Sequence, residues 1–210
     1  MKYSRVPLGP LQTNCYIIQN EKRECIIIDP GEEGEKLNQL IEREKLVPLA
    51  ILLTHAHFDH IGAVDVVREK YNIPVYVHSH EQEWLTNPAL NGSQFFMMGA
   101  IAVKPATHLL KEEDVLTIGD FTCEVYETPG HSPGSVSYYF KKAGMIASGD
   151  VLFESSIGRT DLPGGNHQQL LQSIHDKLLV LPEDTIVLCG HGRETTIGNE
   201  MDNNPFLNGF

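Results

Sequence analysis

The sequence predicts a mixed α/β fold, and two observations lead to that prediction. Short apolar runs rich in β-branched residues alternate with segments in which apolar residues recur every three or four positions. The hydrophobic fraction of 41% and the charged fraction of 21% are typical of a globular protein. No internal repeat, low-complexity tract or linker divides the 210 residues, so we expect one domain over residues 1–210.

Five apolar runs are predicted to be buried strands, several of them covered on both faces. These runs are residues 25–28, 49–53, 73–77, 145–147 and 185–189. A sixth strand is predicted from Phe121, where apolar and polar residues alternate with the period of two that is typical of a half-buried strand.

Three amphipathic helices are predicted from helical spacing of apolar residues. The third is expected to follow Asn166, with Gln169 as the capping-box partner, and to end before Pro182. The apolar faces consist of Leu37, Leu40 and Ile41 in the first helix, Val64, Val67 and Tyr71 in the second, and Leu171, Ile174, Leu178 and Leu181 in the third.

The net charge indicates which kinds of partner the protein binds, and the cysteine spacing indicates the state of the thiols. A net charge of -12 without a cluster of lysine or arginine disfavours nucleic acid and anionic membranes, which leaves a small-molecule substrate. The N-terminus lacks the apolar core of a signal peptide and no run is long enough to span a membrane, so we expect a cytoplasmic protein. The four cysteines, at positions 15, 25, 123 and 189, are too far apart for a short metal-binding knuckle and are interpreted as buried free thiols. The oligomeric state is left open.

The segment Thr54-His55-Ala56-His57-Phe58-Asp59-His60 directly follows the apolar run 49–53 and places four potential metal ligands within six residues. In an extended or turning backbone His55 and His57 point the same way, whereas Asp59 and His60 turn towards a second ion. Protonated histidines this close would repel one another, while neutral imidazoles are stabilised by a divalent ion. The spacing therefore predicts two neighbouring metal ions.

Three more candidate ligands each follow a predicted strand: His131, Asp150 and His191. A glycine directly precedes each of them, which permits close approach of the backbone. Because ligands gather at the carboxyl ends of strands in layered α/β folds, we expect these loops to share one rim.

Together these residues resemble the metallo-β-lactamase superfamily, whose signature is His-X-His-X-Asp-His. The resemblance extends from about residue 13 to the C-terminus, and it implies a four-layer αβ/βα sandwich with the metal site at one edge of its two sheets. It also implies which side chains bind each metal and that Asp59 and Asp150 are the catalytic carboxylates. The implied ligands are His55, His57 and His131 for the first ion, Asp59, His60 and His191 for the second, and Asp150 as the bridge between them.

Within that superfamily the chain is similar to short, single-domain relatives of glyoxalase II, the hydroxyacylglutathione hydrolases. Residues 128–135, 148–153, 157–161 and 190–200 support this similarity. Longer glyoxalase II enzymes continue into a helical domain that contacts glutathione, whereas this chain ends nineteen residues after His191, so the thiol carrier is left open.

The expected chemistry is hydrolysis of a thioester or ester by a hydroxide that bridges the metals. A bound zinc ion lowers the pKa of water to about 7, and ions roughly 3.5 to 4 Å apart can hold a hydroxide between them. Zinc is the expected metal, with iron and manganese as alternatives because imidazole and carboxylate suit all three.

Several alternatives use the same ligands. The superfamily includes persulfide dioxygenases with one iron, and a lactonase would differ only in its pocket. A nuclease and a secreted β-lactamase rank low, because the chain lacks a basic tract and a signal peptide. A metal-binding scaffold without activity is the non-enzyme alternative, although structural sites are usually closed and seven ligands for two ions leave open positions.

Supporting roles are predicted for three further residues. Asp29, in an Asp-Pro-Gly sequence, either accepts a hydrogen bond from a ligand imidazole or forms an ordinary turn. Arg159 and Asp161 either contact substrate or form an ion pair that orders their loop, and we favour the ion pair.

Overall fold

Two six-stranded β-sheets form the framework of residues 1–96 and 99–207, the part of the chain that the computed structural model describes. Contacts between residues divide this part into two compact units. The first unit comprises Met1–Lys111 and Thr117–Phe121, and the second comprises Glu112–Leu116 and the described chain from Thr122 onward. The mixed α/β class with two main sheets is confirmed, while the single domain over residues 1–210 stays a prediction.

The first unit is built on a sheet that runs in chain order from its first strand to its sixth. The first three strands are antiparallel, and the third to sixth are parallel. The strands are β1 (Lys2–Leu8), β2 (Thr13–Gln19), β3 (Glu24–Ile28), β4 (Val47–Leu52), β5 (Val75–His78) and β6 (His108–Leu110).

Four α-helices belong to the first unit in its described residues, together with 3-10 turns at Ser79–Glu81 and Ser93–Phe95. The predicted amphipathic faces of the first two long helices are confirmed, since Leu37, Ile41, Val64 and Val67 are buried in one apolar cluster with the strands. The helices are α1 (Gly34–Arg43), α2 (Phe58–Ile61), α3 (Val64–Tyr71) and α4 (Gln82–Thr86).

The second sheet has one parallel pair of strands, flanked on both sides by antiparallel neighbours. Its strands are β7 (Asp114–Ile118), β8 (Phe121–Glu127), β9 (Val136–Phe140), β10 (Met145–Gly149), β13 (Ile186–Cys189) and β14 (Thr195–Thr196). Spatial order does not follow the chain: the order is β14, β13, β10, β9, β8, β7. A short hairpin of β11 (Leu152–Phe153) and β12 (Ser156–Ile157) lies outside this sheet.

Two helices complete the second unit as described, α5 (His167–Ser173) and α6 (Ile197–Asn203), and a 3-10 turn covers Lys141–Ala143. Helix α5 begins as predicted, because the Asn166 side chain accepts a hydrogen bond from the Gln169 backbone N–H at 3.0 Å. The predicted last turn of this helix, which included Leu181, is wrong. After Ser173 the helix continues as a π-helical turn, Ile174–Leu178, in which the Leu179 N–H donates to the Ile174 carbonyl five residues earlier at 2.9 Å. The helix therefore ends before Leu181.

All four cysteines are free and buried, as predicted. Burial raises the pKa of the Cys25, Cys123 and Cys189 thiols to about 12 and that of the Cys15 thiol well above its usual range. These thiols are therefore protonated at neutral pH. Within the described chain, no helix combines the length and the apolar character that a membrane crossing requires.

The apolar cluster of the first unit gives a stability prediction. Ile27 is fully buried in β3, so Ile27→Ala should lower the free energy of unfolding by about 2–5 kcal/mol, because it removes apolar contacts and leaves a cavity. Val180 is exposed, and Val180→Ala should change the free energy of unfolding by less than about 0.5 kcal/mol. Urea denaturation of both variants measures the difference, and equal effects would contradict this description of the core.

Candidate metal centre

The histidine-rich segment leaves β4 in an extended conformation and then turns into α2. His57 is the residue before the helix, with φ -64° and ψ 148°, and its carbonyl accepts from the His60 N–H at 3.0 Å. The His55 ring lies between the other two, with ring centroids 4.8 Å from His57 and 4.1 Å from His60. All three imidazoles are buried, so the chain gathers three nitrogen-bearing rings away from solvent.

The Asp29 carboxylate holds this segment in place. Its Oδ1 accepts from the Thr54 N–H at 2.8 Å, and its Oδ2 accepts from the Thr54 hydroxyl at 2.6 Å and from His60 Nδ1 at 2.9 Å. The predicted hydrogen bond from an imidazole of the motif to the Asp29 carboxylate is confirmed. Asp29 also has a left-handed backbone, with φ 49°, which an ordinary strand residue avoids. With three donors on its two oxygens, Asp29 orients the histidines and is poorly suited to bind a metal itself.

These hydrogen bonds assign the protons on two of the rings. His60 donates from Nδ1 to Asp29, so a neutral His60 carries its lone pair on Nε2. The Thr54 hydroxyl gives its proton to Asp29 and therefore accepts from His55 Nδ1, 3.1 Å away. His55 thus has the same tautomer, with Nε2 as the basic nitrogen. Asp29 and Thr54 together prepare both rings to donate an electron pair from Nε2 to a metal ion.

Asp59 is placed next to the same nitrogen atoms. The Thr13 hydroxyl donates to Asp59 Oδ2 at 2.7 Å, and that oxygen lies 3.5 Å from His60 Nε2. A lone pair and a carboxylate oxygen at that separation repel each other, whereas a cation bound by both would be stabilised. The donor set of the first unit therefore fits a divalent metal ion.

Four contacts of this loop were not predicted from the sequence. Two of them are the hydroxyl groups of Thr13, which donates to Asp59, and Thr54, which donates to Asp29. Thr54 adjoins the histidine motif, whereas no sequence pattern near Thr13 indicates its contact with Asp59. The buried Glu81 carboxylate accepts from the Ala56 N–H, between the first two histidines. The Trp84 ring lies 5.4 Å from the His57 ring, and Trp84 also belongs to the apolar core of the first unit.

In the second unit the three predicted ligands come from loops that follow strands. His131 follows β8, and Asp150 and His191 follow the parallel neighbours β10 and β13. The Gly190 N–H donates to the Gly149 carbonyl at 2.8 Å, so the ends of these two strands are held side by side. Gly130 has φ 132°, and a Cβ there would lie 2.3 Å from the Leu170 nitrogen, so only glycine fits before His131.

The Asp150 carboxylate lies between two imidazoles. Its Oδ2 is 3.7 Å from His131 Nε2 and 3.5 Å from His191 Nε2. His131 Nδ1 lies 2.8 Å from the Arg159 carbonyl, to which it donates, and this leaves the His131 lone pair on Nε2, facing Asp150. As in the first unit, a basic nitrogen faces a carboxylate oxygen, and the donor set fits a metal ion.

Arg159 forms the predicted ion pair. Its guanidinium donates to both Asp161 oxygens, at 2.7 and 2.8 Å, and this bidentate contact lowers the pKa of the exposed Asp161 carboxyl to about 2. The pair orders the loop whose main-chain carbonyl holds His131.

The structure thus brings the predicted site residues together in two groups, one in each unit. The first contains His55, His57, Asp59 and His60, and the second contains His131, Asp150 and His191. That both groups bind the same pair of metal ions stays a prediction.

Comparison with known proteins gives a consistent family assignment. The model of the metallo-beta-lactamase superfamily matches residues 8–191. A probable metallo-hydrolase, YqgX of Bacillus subtilis, is 58% identical over 100% of this chain and 99% of its own length. The hydroxyacylglutathione hydrolase GloC of Haemophilus influenzae is 36% identical over 99% of both chains.

Solved structures extend the comparison to the fold. The B3 metallo-beta-lactamase BLEG-1 has a TM-score of 0.98 and 60% identity, covering 99% of this chain and 100% of that one. TTHA1623, solved in a di-iron-bound form, has a TM-score of 0.85 and 42% identity, covering 97% of this chain and all of its own.

The hydrogen bonds of Asp29 give a prediction about metal binding. Asp29→Asn replaces one carboxylate oxygen with an amide that cannot accept, so the Thr54 and His60 donors compete for a single oxygen. We expect the affinity for zinc to fall by about 10- to 100-fold, as found when a group that orients a ligand is changed. Competition with a chromogenic chelator measures this affinity. Asp65→Asn is the control, because Asp65 pairs with Arg68 on α3; an equal loss in both variants would refute the role of Asp29.

Proposed function

The chain belongs to the metallo-beta-lactamase superfamily, and from that premise we propose that it is a metal-dependent hydrolase that cleaves a thioester or an ester. The observation that carries the proposal is the Asp29–Thr54 network, which assigns Nε2 of His55 and His60 as the basic nitrogens. An imidazole that binds a metal through Nε2 must carry its proton on Nδ1, and these hydrogen bonds hold the proton there.

We propose that both groups of ligands serve one binuclear centre. The family resemblance supports His55, His57 and His131 on one ion and Asp59, His60 and His191 on the other, with Asp150 shared. Zinc is the proposed metal. Iron is the main alternative, because the relative TTHA1623 was solved with two iron ions, and manganese also suits these ligands.

The ions, when bound, supply a water molecule that is activated at neutral pH and a Lewis acid that polarises the scissile carbonyl. The chain itself supplies the orientation and the charge balance. Asp59 and Asp150, the proposed catalytic carboxylates, would balance two of the four positive charges of two divalent ions, and the buried Asp29 carboxylate adds a further negative charge beside His60. The hydrogen bonds to Nδ1 of His55, His60 and His131 keep these rings fixed as the substrate binds.

The protonated cysteines of the chain favour water as the nucleophile, and the pKa of a thiol favours a thiolate as the leaving group. Burial raises the pKa of all four cysteine thiols well above the usual range, so none provides a thiolate for covalent catalysis. A departing thiolate, with a pKa of about 8.5, needs little help from a proton donor, whereas an alkoxide needs one. A thioester therefore demands less of these residues than an ester does.

The thioester proposal is supported by GloC, whose printed name is that of a hydroxyacylglutathione hydrolase and which has the length of this chain. A β-lactam is the second candidate substrate, because BLEG-1, at 60% identity, is named a B3 metallo-beta-lactamase. Both substrates contain a carbonyl carbon that water can attack, so the same ligands would serve either reaction.

The first test is steady-state hydrolysis of S-lactoylglutathione and of a cephalosporin by protein loaded with zinc, iron or manganese. We expect thioester hydrolysis well above background, and Asp150→Asn should reduce it to background because the shared carboxylate is lost. Asp184→Asn, a change at an exposed carboxylate of the second unit, is the matched control and should retain the rate.

Other outcomes distinguish the alternatives. Turnover of the cephalosporin alone would favour the second candidate, and oxygen uptake with a single iron would favour the persulfide dioxygenase reaction. A fully metallated protein that hydrolyses no thioester, ester, lactone or β-lactam would leave the scaffold alternative.

Removal of the metal gives a separate prediction for stability. Since only the folded chain presents these ligands together, metal at 1,000 times its Kd should stabilise the protein by about 4 kcal/mol. Dialysis against a chelator should therefore lower Tm, and added zinc should restore it. An unchanged Tm after verified loss of metal would contradict the proposed centre.

A further inference from the structure

A carboxylate on α6 is completely buried and has no part in the proposed reaction. Glu200 has 0% exposure and accepts four hydrogen bonds. Its Oε1 accepts from Thr195 Oγ1 at 2.6 Å and from Asn199 Nδ2 at 2.7 Å. Its Oε2 accepts from the Ser155 N–H and from Asn204 Nδ2, both at 2.8 Å. All four donors are neutral, so the carboxylate is stabilised by hydrogen bonds alone.

One oxygen of Glu200 holds the tip of the hairpin that follows Asp150. Ser155 lies in the turn between β11 and β12 and has a left-handed backbone, with φ 57°. Asn204, which is also buried, donates to the Ser156 carbonyl at 3.0 Å as well as to Glu200. The turn is therefore attached to the C-terminal helix through two side chains.

The base of the same hairpin contacts the predicted ligands. The Gly158 N–H donates to the Val151 carbonyl at 3.1 Å, which closes the hairpin. A Cβ on Gly158 would lie 1.9 Å from the Asp150 carbonyl and 3.3 Å from the His131 Cβ, so the backbone here packs directly against both ligands. The next residue, Arg159, provides the carbonyl that accepts from His131 Nδ1.

The other oxygen of Glu200 holds the chain that follows His191. Thr195 lies in β14, where it pairs with Val187 of β13, and β13 ends two residues before His191. The segment from His191 to Thr195 is thus fixed at one end by the sheet and at the other by Glu200.

We propose that Glu200 is a positioning residue that sets the geometry of His131, Asp150 and His191 together, by holding the two loops that carry or contact them. The inference rests on the proposed function for the identity of the ligands. Glu200 lies beyond residues 8–191 that the family model matches, so its role comes from the contacts of this chain.

The decisive variant is Glu200→Gln, which keeps the size of the side chain. An amide has one acceptor oxygen, and its NH2 group would face two of the four donors, so one of the two loops must be released. Ile197→Ala is the matched control. Ile197 is buried in the apolar core of the second unit, so its loss destabilises the same helix through packing alone.

The first measurement uses metal-free protein and needs no activity. The His131 Nδ1–H proton, held by the Arg159 carbonyl, should give a slowly exchanging signal in long-range 1H–15N spectra of the wild type and of Ile197→Ala. In Glu200→Gln the signal should broaden or disappear, because the hairpin no longer fixes that carbonyl. An unchanged signal in Glu200→Gln would overturn the inference.

The second measurement is zinc affinity, by competition with a chelator at a temperature well below every Tm. We expect about tenfold weaker binding in Glu200→Gln, the lower end of the range for groups that directly contact a ligand. Ile197→Ala should remain within about twofold of the wild type. Equal losses in both variants would show that Glu200 acts only on stability and would overturn the inference.

A second variant covers the case in which Glu200→Gln does not fold. Thr195→Val removes one donor and leaves the carboxylate in place, so zinc affinity should fall by about threefold, less than in Glu200→Gln. No loss in this variant would overturn the inference. If the wild type binds none of zinc, iron and manganese, the proposed function fails, whereas the His131 signal in metal-free protein still tests the role of Glu200.

Discussion

The carboxylate of Asp29 is the interaction on which the histidine-rich loop depends. Its left-handed backbone costs about 1–2 kcal/mol. Three hydrogen bonds reach this carboxylate, and bonds to a charged group contribute about 1.5–3 kcal/mol each, so they outweigh the strain. Two of the bonds end on Thr54 and one on His60, so a single side chain fixes both the start of the loop and one of its rings. Without it, the His60 ring and, through Thr54, the His55 ring would lose the hydrogen bonds that orient them.

In the second unit, backbone groups and not a carboxylate orient the candidate ligands. His131 is oriented by a main-chain carbonyl, which cannot change its charge, and Gly158 allows the backbone to pack against Asp150. In both units the carboxylate nearest the ligand nitrogen sits at a distance suited to a shared cation rather than to a hydrogen bond. Each arrangement lies at the end of strands whose apolar residues form a separate cluster, so the polar groups are not placed within the core.

The sequence predicted the strands and helices whose buried apolar residues recur with a clear period. It missed the short and edge strands, which bury too few residues to show such a period. The strands β3, β4, β5, β10 and β13 and the helices α1 and α3 lie within one or two residues of the predicted positions, because burial on one or both faces produced the pattern. Edge strands such as β7 and two-residue strands such as β14 have too few buried residues to leave a signal. The ligand candidates were visible because four of them are adjacent in the chain. Thr13, Glu81 and Glu200 were not, since each forms a hydrogen bond with a residue distant in sequence, which no local pattern reveals.

The substrate follows from neither the fold nor the histidine motif. Proteins between 36% and 60% identical to this chain are named a hydroxyacylglutathione hydrolase, a metallo-hydrolase and a B3 metallo-beta-lactamase. The choice of substrate must therefore depend on residues that surround the ligands without binding metal. Trp84 lies at such a position, because its ring centroid is 5.4 Å from that of His57 and it also belongs to the apolar cluster of the first unit. A smaller side chain in its place would therefore change both the surroundings of His57 and the packing of that cluster.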